Sequence, residues 1–434
     1  MKINDLKNKN IAIWGLGLEG QAVLNKLKYI FNDKNIFIIE DKNYNNKQDL
    51  LNDLLKFDII IRSPSVSIYR EEILEAKKNG VIFITEKSLF LSELENSNTK
   101  IIAITGTKGK TTTSTFMSYI LEKLGYKVLL SGNMGIPTIN LIDEAKKSDF
   151  VILELSSYQT SDLISYPDIA IILNLFPEHL QWHLNYDNYY KDKIHLLEKS
   201  KYKIINPTNK TLNELTQKFN DLIYFNQTNN IHYKNNYFYD NNEKLFTSTN
   251  MKLLGEHNYQ NICSVLTALK LLNINLKDIK QEYFDNFQPL EHRLEIIKKD
   301  DKIFVNDSIS TIPEATIACY NIFKNKHIYG ILGGFDRQQN YQDLSQYISK
   351  NNNIKYITLL GQTSNRIANT LKENNFNNFK ICNNLEECYN ILYTQSYNDN
   401  NAIIILSPAS PSYDMFKNFE ERGNKFKELI NKQK

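Results

Sequence analysis

Cysteine, proline and glycine are scarce in this chain, with 4, 9 and 15 occurrences among 434 residues. The cysteines are scattered and show no Cys-x-x-Cys spacing, so we expect reduced, packed thiols and neither disulfides nor a zinc site. No apolar run approaches the about 20 residues that span a bilayer, and the N-terminus lacks the apolar stretch of a signal peptide. We therefore expect a soluble, cytoplasmic protein without a membrane partner.

An excess of one charge is also absent. The 52 basic and 49 acidic residues leave a net charge of +3, so we expect no nucleic acid as a partner, because proteins that bind it usually carry a strong basic excess. Asparagine is abundant, and the Asn-rich stretches 229–242 and 398–401 predict loops or exposed turns. The length suggests two to four domains.

The most informative segment is a glycine loop, Thr-Gly-Thr-Lys-Gly-Lys-Thr-Thr at residues 105–112, between an apolar run and a helical pattern. Glycines such as Gly106 and Gly109 can turn backbone amides toward a phosphate, and the following helix N-terminus adds partial positive charge. Lys110 can then reach phosphate oxygens, and the Thr111 hydroxyl can bind magnesium. The segment predicts ATP or GTP as a substrate.

The loop is shorter than the common GxxxxGK(S/T) pattern, since Ile104 stands six residues before Lys110, where that pattern has its first glycine. An ordinary turn between a strand and a helix is therefore the alternative interpretation. The flanking strand and helix patterns favour nucleotide binding over that alternative.

Strand and helix patterns alternate in three segments, 1–96, 97–290 and 291–434, which we predict to be three α/β domains. In the first, Gly15-Leu16-Gly17-Leu18-Glu19-Gly20 lies between a strand and a helix, with Asp41 about 20 residues further on. This is typical of a Rossmann-like nucleotide-binding domain, although glycines that only allow close packing are the alternative. We predict a P-loop ATPase-type parallel sheet for the second segment and another Rossmann-like domain for the third.

Polar residues follow the strands of the central segment. They are Asn133, the stretch from Glu154 to Gln159, Asn174, Glu178 and His179. Because ligands of parallel sheets bind beyond the carboxyl ends of the strands, we expect these residues to converge on the glycine loop. Glu154 could bind magnesium and His179 could be a second ligand, although any single residue of these types is more often structural.

The ordered set of motifs resembles the Mur ligases, ATP-dependent amide-bond-forming enzymes of bacterial cell-wall synthesis. The matching segments are 15–20, 105–112, 131–135, 153–159, 177–183, 255–261, 292–293, 306–308, 333–337, 406–410 and 416–423. They cover nearly the whole chain in the order of the family. The set is most similar to the members that add D-glutamate to UDP-N-acetylmuramoyl-L-alanine.

The resemblance implies a site for ATP and two magnesium ions. The implied ATP contacts are Gly106, Thr107, Lys108, Gly109, Lys110, Thr111, Thr112, Asn258, Asn261, Arg293 and Asp307. Thr111 and Glu154 would bind one magnesium ion, and His179 would bind a second. Lys193 matches the lysine that carries a carbamate in this family, so that it too would be a metal ligand. Lys110, Glu154, His179 and Lys193 are the implied catalytic set.

The resemblance also implies two further substrate sites. The N-terminal domain would bind the uridine diphosphate part of the sugar substrate, and not NAD, through Leu18, Glu19, Asp41, Ser63, Asn133, Ser156 and Gln159. The C-terminal domain would bind D-glutamate through Thr311, Arg337, Ser412 and Phe419. Arg337 and Ile309 stand where the family often has lysines, so the selection of the amino acid stays open.

The implied reaction phosphorylates the free carboxylate of UDP-N-acetylmuramoyl-L-alanine with ATP, after which the amine of D-glutamate attacks the acyl phosphate. The expected partners are these three small molecules, and we expect a monomer. The alternatives are folylpolyglutamate synthases, Mur ligases that add L-alanine or a diamino acid, and a nucleotide-regulated binding protein without catalysis.

Overall fold

The computed structural model describes residues 1–32, 35–133, 135–176 and 178–432. Met134 and Pro177, which belong to two of the motifs above, lie outside these residues. The chain divides into two compact units. Unit 1 contains Met1–Met251 and His257–Phe287, and unit 2 contains Lys252–Glu256 and the chain from Gln288 onward. The predicted boundaries near residues 96 and 290 stay a prediction.

Unit 1 begins with a parallel sheet in the order β2-β1-β3-β4. Its strands are β1 (Ile11–Trp14), β2 (Phe37–Ile39), β3 (Ile59–Arg62) and β4 (Ile82–Ile84). The helices are α1 (Leu18–Ile30), α2 (Lys47–Leu54), α3 (Glu71–Lys78) and α4 (Glu86–Leu94), with short 3-10 helices at Ile3–Leu6 and Asp41–Asn43. Strands and helices alternate along the chain, as the sequence predicted.

The central sheet of unit 1 is parallel, in the order β10-β9-β8-β5-β7-β6. Its strands are β5 (Lys100–Thr105), β6 (Val128–Gly132), β7 (Phe150–Glu154), β8 (Ile169–Ile172), β9 (Tyr202–Ile205) and β10 (Leu222–Tyr224). The helices are α5 (Lys110–Lys123), α6 (Ile142–Ala145), α7 (Ser157–Thr160), α8 (Leu180–His183), α9 (Tyr186–Ile194), α10 (Lys210–Leu215), α11 (Glu256–Leu271) and α12 (Gln281–Asn286). Further 3-10 helices lie at Thr138–Leu141, His195–Leu197 and Leu276–Asp278.

The loop prediction for residues 229–242 is wrong. This stretch contains β11 (Ile231–Lys234) and β12 (Tyr237–Asp240), which pair antiparallel with each other and with β13 (Glu243–Thr247). The asparagines lie at the connections, where Asn235 and Asn236 adopt positive φ angles of 49° and 66°. Between them, Phe238 is buried, and aromatic residues such as this one favour strands.

Unit 2 contains one sheet in the order β14-β15-β19-β16-β17-β18 among its described residues. Its strands are β14 (Glu295–Lys299), β15 (Lys302–Asn306), β16 (His327–Gly333), β17 (Ile354–Leu360), β18 (Phe379–Ile381) and β19 (Ala402–Leu406), and only the β14–β15 pair among them is antiparallel. The helices are α13 (Pro313–Ile322), α14 (Gln342–Lys350), α15 (Ser364–Glu373), α16 (Leu385–Gln395) and α17 (Phe419–Lys432). The predicted α/β class is confirmed.

Both faces of the unit 2 sheet are covered. Ile403 and Ile405 of β19 pack into one buried cluster, and Ile404 and Leu406 pack into another on the opposite face. Side chains alternate between faces along a strand, so a continuous apolar run is required when helices cover both. In the described residues, no helix is long and apolar enough to cross a membrane.

Candidate active site

The glycine loop lies between β5 and α5, as predicted. Gly106 and Gly109 have φ angles of +153° and +89°, which favour glycine. Space also requires glycine at position 109, because a Cβ atom there would lie 2.7 Å from the Asn261 side-chain nitrogen. The loop thus leads directly into the N-terminus of α5, where backbone amides can face an anion.

Side chains from neighbouring segments hold this loop in place. Asn174, directly after β8, accepts a hydrogen bond from the Lys108 amide at 2.8 Å and donates to the Lys108 carbonyl at 2.9 Å. The Thr107 hydroxyl bonds the Tyr189 hydroxyl at 2.9 Å. Lys110 folds back and donates to the carbonyls of Gly106 and Thr107 at 2.9 and 3.3 Å. The ammonium of Lys110 therefore lies over the loop that would hold a phosphate.

Glu154 ends β7, next to the β5 strand that leads into the loop. It is 9% exposed, and its carboxylate makes no hydrogen bond with any part of the chain that the structure describes. A carboxylate that makes no hydrogen bond to the described residues at this edge fits an oxygen ligand for magnesium. Thr111 lies in the first turn of α5 and carries a hydroxyl, which is a second oxygen of the kind that magnesium binds.

His179 precedes α8 in a left-handed conformation, with φ of 59°. Its Nδ1 lies 2.8 Å from the Tyr158 hydroxyl. Burial lowers the pKa of His179 to about 4, and the nearby Lys193 and Lys110 add to this effect while Glu178 opposes it. The imidazole is therefore neutral at neutral pH, which is the form that binds metals.

Lys193 reaches the loop from α9 and is 2% exposed. Its ammonium donates to the Gly106 carbonyl at 3.1 Å and to the Thr105 hydroxyl at 3.4 Å. Burial, and then the charge of Lys110, hold the pKa of Lys193 well below its usual value. Within the described ranges, no cluster of three His, Cys, Asp or Glu residues forms a ready-made metal site. Any metal here would therefore depend on this mixed set of ligands.

A cleft of about 280 Å³ lies between the first and central sheets of unit 1. Its lining includes six of the seven residues predicted to contact the uridine diphosphate: Leu18, Glu19, Ser63, Asn133, Ser156 and Gln159. The seventh, Asp41, is not in the lining, and it accepts two hydrogen bonds from Arg70 and one from the Trp14 indole.

The other predicted ATP contacts divide between the units. Asn258 and Asn261 are buried on α11, where Asn261 lies against Gly109. Arg293 is partly buried in unit 2. Asp307 is 4% exposed in unit 2, and its carboxylate accepts hydrogen bonds from the Ser310 and Ser407 hydroxyls and the Leu294 amide. Burial raises the pKa of Asp307 to about 6.

The predicted glutamate contacts lie in unit 2, at the carboxyl ends of the strands or at the start of α17. Ser412 is buried, Thr311 and Phe419 are partly buried, and Arg337 is exposed with its guanidinium 5.7 Å from the Tyr413 ring centre.

Sequence reasoning missed several buried charged groups near the cleft. Lys87 donates to Glu86 at 2.6 Å and lies 3.0 Å from Glu19, while Arg62 forms a bidentate pair with Asp162. The only sequence signal is that Lys87 and Arg62 follow or end apolar strand runs. Such a position does not reveal a partner that is far away in the chain.

Comparison with known proteins shows which family the chain resembles. The sequence pattern of the Mur ligase middle domain matches residues 104–269. The UDP-N-acetylmuramoylalanine--D-glutamate ligase of Acetivibrio thermocellus is 31% identical over 474 residues, covering 99% of this chain and 98% of that protein. The chain belongs to the Mur ligase family.

Other Mur ligases resemble the chain over a similar length. The UDP-N-acetylmuramoyl-L-alanine--L-glutamate ligase of Xanthomonas euvesicatoria pv. vesicatoria is 29% identical, covering 99% of this chain and 96% of that protein. Among solved structures, the UDP-N-acetylmuramate-alanine ligase of Thermotoga maritima has a TM-score of 0.58 and 17% identity, covering 98% of this chain and all of that one. A MurF ligase of Thermotoga maritima in complex with ADP has a TM-score of 0.61 and 16% identity, covering 88% and 98%. These structures support the Mur ligase fold.

Proposed function

We propose that the chain is an ATP-dependent ligase that joins D-glutamate to UDP-N-acetylmuramoyl-L-alanine in peptidoglycan precursor synthesis. The observation that carries the proposal is that the ammonium groups of Lys110 and Lys193 both donate hydrogen bonds to the Gly106 carbonyl, near the charge of Glu154. The chain is also 31% identical to a ligase of that name. We place the reaction in the cytoplasm, where ATP is available, and propose a monomer.

The reaction needs activation of an otherwise inert carboxylate. The free carboxylate of UDP-N-acetylmuramoyl-L-alanine attacks the γ-phosphorus of ATP, which forms an acyl phosphate and releases ADP. The amine of D-glutamate then attacks the acyl carbon, and phosphate leaves from a tetrahedral intermediate. The chain holds the reactants in line and stabilises the developing charge.

Lys110 and the loop amides are the groups that face the triphosphate in this proposal. Thr111 and Glu154 would hold one magnesium ion, and His179 with a carbamate on Lys193 would hold a second. Bound magnesium would neutralise charge on the phosphoryl oxygens. The buried carboxylate of Glu154 and the neutral imidazole of His179 both fit such roles.

The environment of Lys193 supports carbamylation. Its lowered pKa favours the neutral amine, which adds to carbon dioxide to form an N–C bond and releases one proton. The product is a carboxylate, which suits magnesium where an ammonium would not. In the same proposal, the cleft lined by Leu18, Ser63 and Gln159 binds the uridine diphosphate part of the substrate.

The central experiment measures phosphate release by the purified chain with ATP and magnesium. We expect release only when UDP-N-acetylmuramoyl-L-alanine and D-glutamate are both present, with a product that mass spectrometry identifies as the amide. Release with either substrate alone, or none with both, would contradict the proposal.

L-Glutamate is a second candidate amino acid. It is favoured by the Xanthomonas ligase named for L-glutamate, which matches 99% of this chain at 29% identity. A panel of D- and L-amino acids in the same assay separates the two. Chiral analysis of the amino acids released by acid hydrolysis of the product identifies the isomer that was joined.

The carbamate has its own test. Lys193→Ala should lose about 100-fold or more in rate, because a metal ligand is missing, and short carboxylates such as formate should restore part of it. Lys191→Ala is the matched control, since Lys191 is exposed on the same helix. A carbamate carbon signal in protein equilibrated with ¹³C-labelled carbon dioxide should be present in the wild type and absent in Lys193→Ala. Full activity without added carboxylate would exclude the role.

A further inference from the structure

Arg422 is a buried arginine on α17 of unit 2 and is 1% exposed. Its Nε donates to the Ser308 hydroxyl at 3.0 Å, and Nη2 donates to the Ser308 carbonyl at 2.8 Å. Nη1 donates to the carbonyls of Ser410 and Pro411 at 3.0 and 3.3 Å. All of these acceptors are neutral.

The charge of Arg422 has no paired carboxylate in the part of the chain that the structure describes. Burial lowers the pKa of Arg422 to about 9, which Asp414 opposes, so that the guanidinium stays charged at neutral pH. Asp414 itself accepts a hydrogen bond from the Gln362 amide at 3.0 Å. Burying a charge without an ion-pair partner costs free energy. A functional role of the charge would explain why it is present.

The position of Arg422 indicates that function. Its acceptors lie in the loops after β15 and β19, and a Cβ atom at Gly334, after β16, would lie 3.1 Å from Nη1. β15, β19 and β16 are neighbours in the sheet. The carboxyl ends of adjacent parallel strands are where such sheets bind ligands.

These three loops carry the residues expected to contact glutamate. Thr311 follows Ser308, Ser412 follows Pro411, and Arg337 follows Gly334. The remaining contact, Phe419, lies three residues before Arg422 on α17, and its carbonyl accepts a hydrogen bond from the Ser308 hydroxyl at 2.8 Å. The four segments therefore meet at one buried guanidinium.

We propose that Arg422 is a positioning residue that holds these loops in register and supplies the buried positive charge that selects an amino acid with a side-chain carboxylate. The inference rests on the proposed function for the identity of that amino acid. Arg337, which is exposed at the same edge, would contact the ligand directly, whereas Arg422 acts through the loops and through its charge.

The test compares Arg422→Lys, which keeps the charge and loses the planar fork, with Arg422→Gln, which loses both. Steady-state assays should show KM for glutamate raised about tenfold in Arg422→Lys and more in Arg422→Gln. KM for ATP and for the UDP substrate should stay within about twofold. Lys425→Gln is the matched control, because it removes a charge from the same helix, where Lys425 forms an ion pair with Glu428.

A merely structural role gives a different pattern. If all three KM values rise together and the thermal unfolding temperature falls in parallel, or if no KM changes, the proposal is overturned. Ser308→Ala is a milder variant that removes an acceptor and keeps the charge. It should raise KM for glutamate about threefold, and an unchanged value would count against the proposal.

Calorimetric binding separates this inference from the proposed ligase activity. Wild-type protein should bind glutamate more tightly than glutamine in the presence of a non-hydrolysable ATP analogue and the UDP substrate, and Arg422→Gln should lose that preference. Absence of turnover in the wild type would contradict the ligase proposal alone. Equal glutamate affinity in wild type and Arg422→Gln would overturn the role of Arg422 even if turnover is observed.

Discussion

Each unit buries an arginine at the carboxyl ends of parallel strands, but the two arginines have different partners. Arg62 ends β3 in unit 1 and forms a bidentate pair with Asp162 at 2.7 and 2.8 Å. It also donates to the carbonyls of Tyr158 and Val66 at 2.9 and 3.1 Å. Arg422 in unit 2 is as buried, but among the described residues it hydrogen bonds only to neutral oxygens.

The two arginines differ in whether a carboxylate pairs with the buried charge. The charge of Arg62 is balanced within the protein, so the residue can only connect elements: it ties the loop of Ser63 to the segment of Tyr158, whose hydroxyl bonds His179. The charge of Arg422 is not balanced by an ion pair within the described residues, so an anionic ligand lowers its cost. Asp307 of unit 2 is also buried; two hydroxyls and an amide donate hydrogen bonds to it, and the charge of Arg293 acts on it as well.

The largest expected effect lies at the glycine loop of unit 1. Lys110→Ala should reduce kcat about 1,000-fold or more, because it removes the charge that stabilises phosphoryl transfer. Phosphate release is the measurement, and Lys123→Ala, at the far end of the same helix, is the control. A near-normal rate in Lys110→Ala would remove the loop from the active site.

Breaking the Arg62–Asp162 ion pair of unit 1 should affect stability more than substrate selection. Arg62→Met leaves Asp162 buried without its partner and should lower the free energy of unfolding by about 3–5 kcal/mol. Urea unfolding followed by circular dichroism measures this. The double variant Arg62→Met/Asp162→Asn should recover part of the loss. If Arg62→Met instead raised KM for glutamate and left stability unchanged, the contrast with Arg422 would fail.

Burial of Asp307 in unit 2 should make the free energy of unfolding depend on pH. The pKa of Asp307 is raised from 3.8 to about 6, so between these values the folded chain keeps a proton that the unfolded chain has released. The free energy of unfolding therefore falls as pH rises through this window, by up to about 3 kcal/mol. Asp307→Asn should remove this fall in urea unfolding measured from pH 4 to pH 7. An identical pH profile in the variant would show that Asp307 is ionised in the folded state throughout.

Alanine substitutions at Gly109 and Gly125 should have the smallest and most local effects. Gly109→Ala introduces strain at φ +89° and a contact of 2.7 Å with Asn261, whereas Gly125→Ala introduces similar strain at φ +90° into open space. Each should lower stability by about 1 kcal/mol. Only Gly109→Ala should also raise KM for ATP, by about tenfold. Equal KM values in the two variants would mean that the loop does not depend on its contact with Asn261.

Local patterns predicted the parts of the fold that depend on neighbours in the chain. The strand, loop and helix at β5 and α5 could be recognised because glycine conformation and apolar runs act over a few residues. The same reasoning failed at residues 229–242. Composition indicated a loop there, whereas burial of Phe238 favours the observed strand. It also missed β14, because an edge strand with alternating partly buried and exposed residues has a weak apolar signal.

Site residues that belong to continuous motifs could be predicted from the sequence. Contacts between segments that are distant in the chain could not. The resemblance singled out Lys193, and the structure shows how α9 carries it to the Gly106 carbonyl. Asp41 lies outside the cleft that contains the other predicted uridine diphosphate contacts, because Arg70 and Trp14 hold its carboxylate. No local rule anticipates such a pairing.

The sequence by itself determined the family, the α/β class and the glycine loop, because each depends on short motifs and on periodicity along the chain. Tertiary structure alone decided which charges are balanced. Arg62 meets Asp162 across 100 positions, and Arg422 meets Ser308 across 114. The energy of a buried charge depends on the groups around it in space, which only the folded chain brings together.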